Sequence, residues 1–230
     1  PHGSMAVVGN RRDIALMPQD MKLLGACLKA TAFTRMTGRI DSAQQGFCAG
    51  TGAMDAALEA ALLLQVGRAR RGAAYLLYID IRKFFPSVDR TVMSVAEACA
   101  GLPEEVRRIT AALYGEMMGA YDSAHGLGED FSIYMGVLMG CVLSPDRAKL
   151  LLNTVLVAIR AYVRGVTLEG AGGRSVSSVC YCDDYLGVVE TEAELHKLWG
   201  VWDMWSLMSG CGLGVEECEK TVVVAVEWRG

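Results

Sequence analysis

The apolar residues of this chain form short runs that predict β-strands, each bounded by turn-forming or charged residues. Tyr75–Ile79 is a continuous apolar run, typical of a buried strand. Val176–Cys182 and Tyr185–Val189 are two β-prone runs that flank Asp183-Asp184. Because Asp tolerates positive φ and bonds its own backbone, we expect a tight hairpin with both aspartates at its tip. Two further strands are predicted over Phe131–Val137 and Thr221–Trp228.

Helical periodicity separates these strands, and several predicted helices begin at good capping residues. Asp89 is expected to cap one helix, and Thr191 with Glu194 forms a capping box for another. Ser144 as N-cap with Pro145 at the first helical position predicts a third helix start. The predicted helices are Met54–Val66, Arg90–Ala100, Pro103–Tyr121, Ser144–Arg164 and Glu192–Met208. Together the elements predict a chain of helices and strands in which the strands form a sheet.

Three carboxylates stand where such a sheet could bring them together. Asp80 ends the Tyr75–Ile79 strand, and a carboxylate at the end of a buried strand needs a partner or a metal ion. If this strand neighbours the hairpin, Asp80 lies beside Asp183 and Asp184. Hard oxygen ligands suit Mg²⁺, and three of them suit a two-metal site for phosphoryl or nucleotidyl transfer. The alternative is a solvated Asp-Asp turn without a metal.

These residues also carry a resemblance to a known family. DIRKFFPSVD, from Asp80, and YCDD, from Tyr181, resemble motifs A and C of reverse transcriptases. Other segments are similar to the family's fingers segments, motif B and motif D, in the same order along the chain: Asn10–Leu24, Gln45–Leu58, Gly136–Asn153 and Gly212–Thr221. The Gln45–Leu58 segment is similar to a segment of non-LTR retrotransposon enzymes, so the resemblance is to the non-LTR and group II intron-like branch.

The resemblance implies an α+β fold, the fingers and palm of a right-hand polymerase, with an antiparallel palm sheet backed by helices. The family's thumb finds no counterpart in this sequence. Residues 6–73 would form a fingers-like segment, and residues 74–230 the palm with interleaved fingers elements. Residues 1–5, PHGSM, look like a cloning remnant, and we expect the natural protein to extend upstream.

The implied activity is that of an RNA-directed DNA polymerase, which adds dNTPs to a DNA or RNA primer 3′-OH on an RNA template. It would use two Mg²⁺ ions, with Mn²⁺ as the alternative. Asp80 and Asp183 would bridge the metals, Asp184 would support them, and the Ile81 carbonyl would be a further ligand.

Four other positions match residues with family roles. Arg12 would contact the triphosphate, although Asp13 replaces the family's proline beside it. Phe85 would be the aromatic gate that selects dNTP over rNTP. Gly140 would let the nascent base pair approach the backbone. Lys220 would be a general acid for the pyrophosphate leaving group. Solvated side chains remain the alternative for Arg12 and Lys220. A core position is the alternative for Phe85 and the expected one for its neighbour Phe84.

Composition adds limits on partners and compartment. No apolar run approaches the ~20 residues needed to span a bilayer, so no membrane partner is expected. The eight cysteines contain no CxxC pair, which favours free thiols in a reducing, intracellular compartment, cytoplasm or nucleus, over a zinc site. The net charge of −4 disfavours a simple nucleic-acid coat. Other regions of a larger polyprotein are further candidate partners.

Two other functions stay open. Met139 stands where motif B has glutamine, which favours a non-catalytic reverse-transcriptase-like domain that binds RNA or protein. An RNA-dependent RNA polymerase is the third reading, and Phe85 and YCDD disfavour it.

Overall fold

The computed structural model describes residues 14–69, 73–123, 125–168, 174–215 and 221–227. In these ranges the α-helices are Gln19–Thr31 (α1), Ala53–Ala69 (α2), Phe84–Ser87 (α3), Arg90–Cys99 (α4), Glu104–Gly115 (α5), Ser144–Tyr162 (α6) and Glu192–Ser209 (α7), and a 3₁₀ helix spans Phe33–Arg39. The strands are Ala73–Ile79 (β1), Met118–Gly119 (β2), Asp122–Ser123 (β3), Gly126–Leu127 (β4), Phe131–Ser132 (β5), Val166–Leu168 (β6), Arg174–Val176 (β7), Ser178–Tyr181 (β8), Asp184–Val189 (β9) and Val222–Glu227 (β10).

A four-stranded antiparallel sheet in the order β10-β1-β9-β8 forms the centre of the fold. The expected neighbourhood of the Tyr75–Ile79 strand and the aspartate hairpin is confirmed, because β1 pairs directly with β9. The remaining strands form two-stranded ribbons, β2 with β5, β3 with β4, and β6 with β7.

The centre of the sheet is buried on both faces, whereas the edge strand β10 is largely exposed. On one face, Leu77 and Ile79 of β1 pack in a core with residues of α4, α6 and α7. On the other face, Leu76 packs with Leu63 of α2. This alternation follows from the period of two along a strand. The fold is therefore the expected α+β arrangement of an antiparallel sheet backed by helices.

The helix that follows the hairpin, α7, begins at its predicted cap and packs Trp202 and Trp205 into the core. Thr191 caps α7, since its side chain accepts a hydrogen bond from the Glu194 amide at 3.2 Å. Trp202 is fully buried and meets the rings of Tyr185 and Trp205 edge to face, with centroids 4.8 and 5.4 Å away. The tryptophans of α7 that face the sheet are core residues. No helix among the described residues combines the length and apolar character needed to cross a bilayer.

Several element boundaries differ from the sequence predictions. The helix predicted over Pro103–Tyr121 begins at Glu104 with Pro103 as N-cap, and it ends at Gly115, after which the chain enters short ribbons. The strand predicted over Phe131–Val137 is confined to Phe131–Ser132, because the amides of Gly136 and Val137 bond the carbonyls of Val88 and Phe85 instead.

The start of α6 also differs. Leu143 is the N-cap and Ser144 is the first helical residue, and the helix ends at Tyr162. The Ser144 hydroxyl does not cap the helix, because it forms a 3.1 Å hydrogen bond with the Tyr114 hydroxyl of α5. A tertiary contact has replaced the local one.

Candidate functional site

The end of β1 places Asp80 beside the hairpin. The last β1–β9 pair is Ile79 with Tyr185, so the register extended by one residue sets Asp80 opposite Asp184. The Asp80 amide donates to the Thr221 hydroxyl at 3.1 Å, and the Asp80 carbonyl accepts from the Gly214 amide at 2.8 Å. The main chain of Asp80 is therefore fixed on the side away from β9.

The tip of the hairpin is one residue earlier than predicted. Tyr181 pairs with Asp184, which leaves Cys182 and Asp183 as the two-residue turn. Asp184 is the exposed first residue of β9, not a turn residue. Cys182 takes the positive φ, at 58°, that we expected of an aspartate. The prediction that both aspartates occupy the tip is wrong by one position, and Asp183 alone lies in the turn.

One small cavity joins several segments that are far apart in the sequence. Its lining includes Phe85, Pro145, Lys149, Asp183 and Phe47. It thus brings together residues from the segments similar to motifs A, B and C and from the loop before α2. Phe84 is core, as expected, while the half-buried Phe85 reaches the cavity and contacts the Phe84 ring edge to face at 5.8 Å.

Backbone strain concentrates around this cavity. Among the described residues, the non-glycine positions with positive φ are Phe47, Lys83 and Cys182. Phe47 and Cys182 line the cavity, and Lys83 directly precedes Phe84 and Phe85. Such conformations cost about 1–3 kcal/mol each and persist where the surroundings impose them, often at functional sites.

The hairpin carries a concentrated negative charge. Burial, followed by repulsion from Asp183 and Asp184, raises the pKa of the Cys182 thiol to about 11. Burial raises the pKa of the Cys180 thiol as well, and the neighbouring Cys182, Asp183 and Asp184 add to it. A bound cation would relieve this repulsion between the carboxylates and their surroundings. Each of the described cysteines is a free thiol.

The residues fit a divalent metal ion in donor chemistry and in strand position. Asp80, Asp183 and Asp184 offer the carboxylate oxygens that Mg²⁺ prefers. Over the described ranges, however, no three His, Cys, Asp or Glu side chains are already grouped around a common point for a metal. The main chain brings the aspartates together, and the side chains as they stand do not form a finished coordination shell.

The Ile81 carbonyl is aimed at the same region. Ile81 lies opposite Leu213, and hydrogen bonds flank the pair: the Arg82 amide donates to the Gly212 carbonyl, and the Gly214 amide donates to the Asp80 carbonyl. In an antiparallel pair flanked in this way, the N–H and C=O of Ile81 itself point to the opposite side. That side is where β9 lies.

Gly140 has a structural role that the sequence did not indicate. Its φ is 104°, and a Cβ there would lie 2.6 Å from the Ala15 carbonyl oxygen. The Ala15 amide donates to the Met139 carbonyl at 2.7 Å. The glycine therefore admits the segment that follows Arg12. Arg12 itself and Lys220 lie outside the described residues.

Two residues of this site were missed by the sequence reasoning. Buried Gln44 bonds the backbone of Cys182, and buried Lys149 donates to the Phe47 carbonyl at 2.8 Å. The signal for Gln44 was weak, since it is one of two adjacent glutamines and lies just outside the Gln45–Leu58 segment that resembles the family.

The fold resembles that of solved telomerase structures. Three solved structures resemble it, each at low sequence identity. Apo telomerase from Candida tropicalis truncated from the C-terminal domain has a TM-score of 0.59 at 12% identity, over 92% of this chain and 40% of that one. Telomerase from Candida tropicalis in complex with a TWJ fragment of telomeric RNA has a TM-score of 0.58 at 11% identity, over 90% and 32%. The corresponding telomerase complex from Candida albicans has a TM-score of 0.56 at 12% identity, over 91% and 34%.

This chain therefore spans about a third to two fifths of the telomerases that it resembles. At such low identity the likeness shows the fold alone. No curated protein matches the sequence. The model of the family described as "Reverse transcriptase (RNA-dependent DNA polymerase)" matches residues 3–228, nearly the whole chain. With the antiparallel sheet, the strand-end aspartates and this match together, the chain belongs to the reverse transcriptase family.

Proposed function

We propose that this chain is the fingers and palm of an RNA-directed DNA polymerase that adds dNTPs to a primer 3′-OH. One observation carries the proposal. Asp80, at the end of β1, stands opposite Asp184 and beside the Cys182–Asp183 turn in a single antiparallel sheet. In a member of this family, that is where the nucleotidyl-transfer chemistry would take place.

The aspartates would hold two divalent cations, Mg²⁺ or the alternative Mn²⁺. Asp80 and Asp183 would bridge the ions, Asp184 would support the second, and the Ile81 carbonyl would complete the shell. When bound, such ions activate the attacking oxygen and stabilise the leaving group. The strand register supports this assignment by fixing the backbone positions of the ligands.

Other residues would select and orient the nucleotide. Phe85 would lie under the sugar and exclude a 2′-hydroxyl, which its place on the cavity beside Asp183 supports. Gly140 would leave room for the nascent base pair. Arg12 would bind the triphosphate, and Lys220 would donate a proton from Nζ to the leaving pyrophosphate.

The partners would be an RNA template with a DNA or RNA primer, together with dNTPs. Two of the similar telomerases are described in complex with a fragment of telomeric RNA, which supports RNA as the partner here. We further propose a non-LTR-type origin, an intracellular location, a larger polyprotein around this region, and a division into fingers-like residues 6–73 and palm residues 74–230.

Primer extension tests the proposed activity. The assay uses an RNA template, a DNA primer, Mg²⁺ and dNTPs, with Asp183→Asn as the active-site variant. Asp203→Asn, an exposed position of α7, is the matched control for the loss of one negative charge. We expect extension in the wild-type and Asp203→Asn proteins and none in Asp183→Asn. Equal extension by both variants would refute the assignment. Preference for rNTPs would instead favour an RNA polymerase.

A second candidate function is non-catalytic binding of RNA or protein. It is favoured by the lack, within the described ranges, of three side chains already grouped for a metal. The two candidates differ in a direct measurement. Titration with Mn²⁺, followed by electron paramagnetic resonance, should show binding that Asp183→Asn weakens if the site is catalytic. RNA binding without any Mn²⁺ binding, in a chain that includes flanking sequence, would favour the second candidate.

A further inference from the structure

The side chain of Gln44 is bonded to the hairpin turn through all of its polar groups. Gln44 is only 3% exposed. Its Oε1 accepts hydrogen bonds from the Cys182 amide at 3.0 Å and from the Gly46 amide at 2.8 Å. Its Nε2 donates to the Cys182 carbonyl at 3.0 Å and to the Cys180 Sγ at 3.2 Å. The amide thus engages both the N–H and the C=O of the residue that has the strained positive φ.

The main chain around Gln44 reinforces this contact. The Cys180 amide donates to the Ala43 carbonyl and the Gln45 amide donates to the Cys180 carbonyl, both at 2.8 Å. These bonds lay the segment alongside β8, on the edge that β9 does not occupy. At Gly46 a Cβ would lie 2.1 Å from the Cys182 nitrogen, so the two backbones are in direct contact there.

The Ala43–Gly46 segment is in turn anchored to α6 on both sides. The Asn153 Oδ1 accepts from the Asp41 amide at 2.6 Å, and Arg160 pairs with the Asp41 carboxylate at 2.8 Å. The Lys149 ammonium holds the Phe47 carbonyl at 2.8 Å. The segment is therefore held by hydrogen bonds to α6 on one side and to the hairpin on the other.

We infer that Gln44 is a positioning residue that sets the conformation of the Cys182–Asp183 turn, and so the placement of Asp183 and Asp184. The inference rests on the proposed function for its catalytic consequence. Asp183 directly follows Cys182, whose backbone Gln44 holds, so rotation of the Cys182 peptide would displace the Asp183 carboxylate. Metal and substrate sites tolerate little displacement of their ligands.

The chemistry of an amide explains why glutamine suits this position. A glutamate would keep the acceptor for the Cys182 amide, but it would lose the donor for the Cys182 carbonyl. It would also add a negative charge next to Asp183 and Asp184, where repulsion already acts on the thiols. A methionine would keep the volume and remove every hydrogen bond. Neutral Gln44 bonds both sides of the peptide without adding charge.

The test compares Gln44→Met with Gln45→Met. Gln45 is the matched control because it is a buried glutamine of the same loop whose side chain bonds Glu59 and not the turn. The first measurement is amide hydrogen exchange of Cys182 by NMR, which does not depend on activity. We expect exchange to accelerate about tenfold or more in Gln44→Met, because the amide loses its acceptor, and to stay near the wild-type rate in Gln45→Met. Unchanged exchange in Gln44→Met, or equal acceleration in both variants, would overturn the inference.

The second measurement is the rate of single-nucleotide incorporation, made at a temperature equally far below the melting temperature of each variant. We expect the kcat of Gln44→Met to fall about tenfold or more with little change in template affinity. The kcat of Gln44→Glu should fall likewise, while the Cys182 amide of that variant still exchanges slowly. Wild-type kcat in Gln44→Met, despite faster exchange, would refute a role in positioning the aspartates. Lack of incorporation by the wild-type protein would count against the proposed function, and the exchange rates would still decide the role of Gln44 in the turn.

Discussion

A buried ion pair joins α4 to α6, and its removal gives a sharp test of the fold. Arg147 of α6 bonds Glu97 of α4, with Nε and Oε1 2.5 Å apart. The two residues are only 2% and 1% exposed. The Arg147 guanidinium also lies over the Tyr114 ring of α5, 4.7 Å from its centroid. Among the described residues, Glu97 Oε2 and Arg147 Nη1 are buried without a hydrogen-bond partner.

The structure sets the expected magnitudes. Removal of one partner leaves the other charge buried and unpaired, which costs about 3–5 kcal/mol, a large share of the roughly 5–15 kcal/mol that stabilise a domain. Replacement of both partners by apolar residues of similar size is often neutral or stabilising. Because each single substitution leaves the partner's charge buried and unpaired, we expect Glu97→Met and Arg147→Met each to be severely destabilised. We expect the double variant to recover most of the loss.

Urea unfolding followed by circular dichroism at pH 7 measures the free energy of unfolding of the wild type, both single variants and the double variant. Glu105→Met, at an exposed position of α5, is the control, and its free energy of unfolding should lie within about 0.5 kcal/mol of wild type. Burial raises the pKa of Glu97, opposed by Arg147. In Arg147→Met that opposition is gone, so the loss of stability relative to wild type should be smallest below pH 4.5 and should grow as pH rises through the raised pKa of Glu97. A single variant within 1 kcal/mol of wild type, or a double variant as unstable as the sum of the singles, would refute this reasoning.

The remaining predictions concern a cap, two glycines and the gate. Asp89 accepts from the Thr91 amide at 2.7 Å, so Asp89→Ala should cost about 1 kcal/mol at pH 7. The same hydrogen bonding lowers the pKa of Asp89, so its contribution is present above pH 3.8 and disappears as pH falls through the lowered pKa; a pH-independent cost in urea titrations would contradict this. Gly165→Ala should destabilise the protein by about 1–3 kcal/mol, because its Cβ would lie 2.0 Å from a carbonyl oxygen. Gly200→Ala, in an exposed turn of α7 with open space around it, should stabilise the protein by about 0.5–1 kcal/mol. Melting temperatures in the opposite order would count against both predictions. Phe85→Val should raise rNTP use relative to dNTP about tenfold or more in primer extension, and an unchanged ratio would remove Phe85 as the gate.

The sequence correctly predicted two local helix caps and one pairing between distant strands. The Asp89 and Thr191 caps depend on hydrogen bonds within three residues, and both are present. The pairing of β1 with β9 was expected because a buried apolar strand and a hairpin of the same character share one sheet. Family-specific positions such as Asp80 could be named because their order along the chain is itself a signal.

The errors arise where distant residues decide. The hairpin tip shifted by one position because the Gln44 amide bonds the backbone of Cys182, and no local preference reports a partner 138 residues away. Ser144 does not cap α6 because Tyr114, thirty residues earlier, takes its hydroxyl. The Glu97–Arg147 pair went unnoticed for the same reason, since each residue alone resembles an ordinary surface charge on a helix.

The Gln44–Cys182 contact has a consequence for how the protein folds. A hydrogen bond between groups 138 residues apart closes a very long loop, and contacts of such sequence separation form slowly. The β8–β9 hairpin can form from neighbouring residues alone, but its turn would lack its partner until the early loop has docked. During synthesis at about 5–20 residues per second, the interval between the synthesis of Gln44 and that of Cys182 is on the order of ten seconds. The geometry of the candidate site is therefore completed late, and pulse-labelled exchange at the Cys182 amide would report the last stages of folding rather than the first.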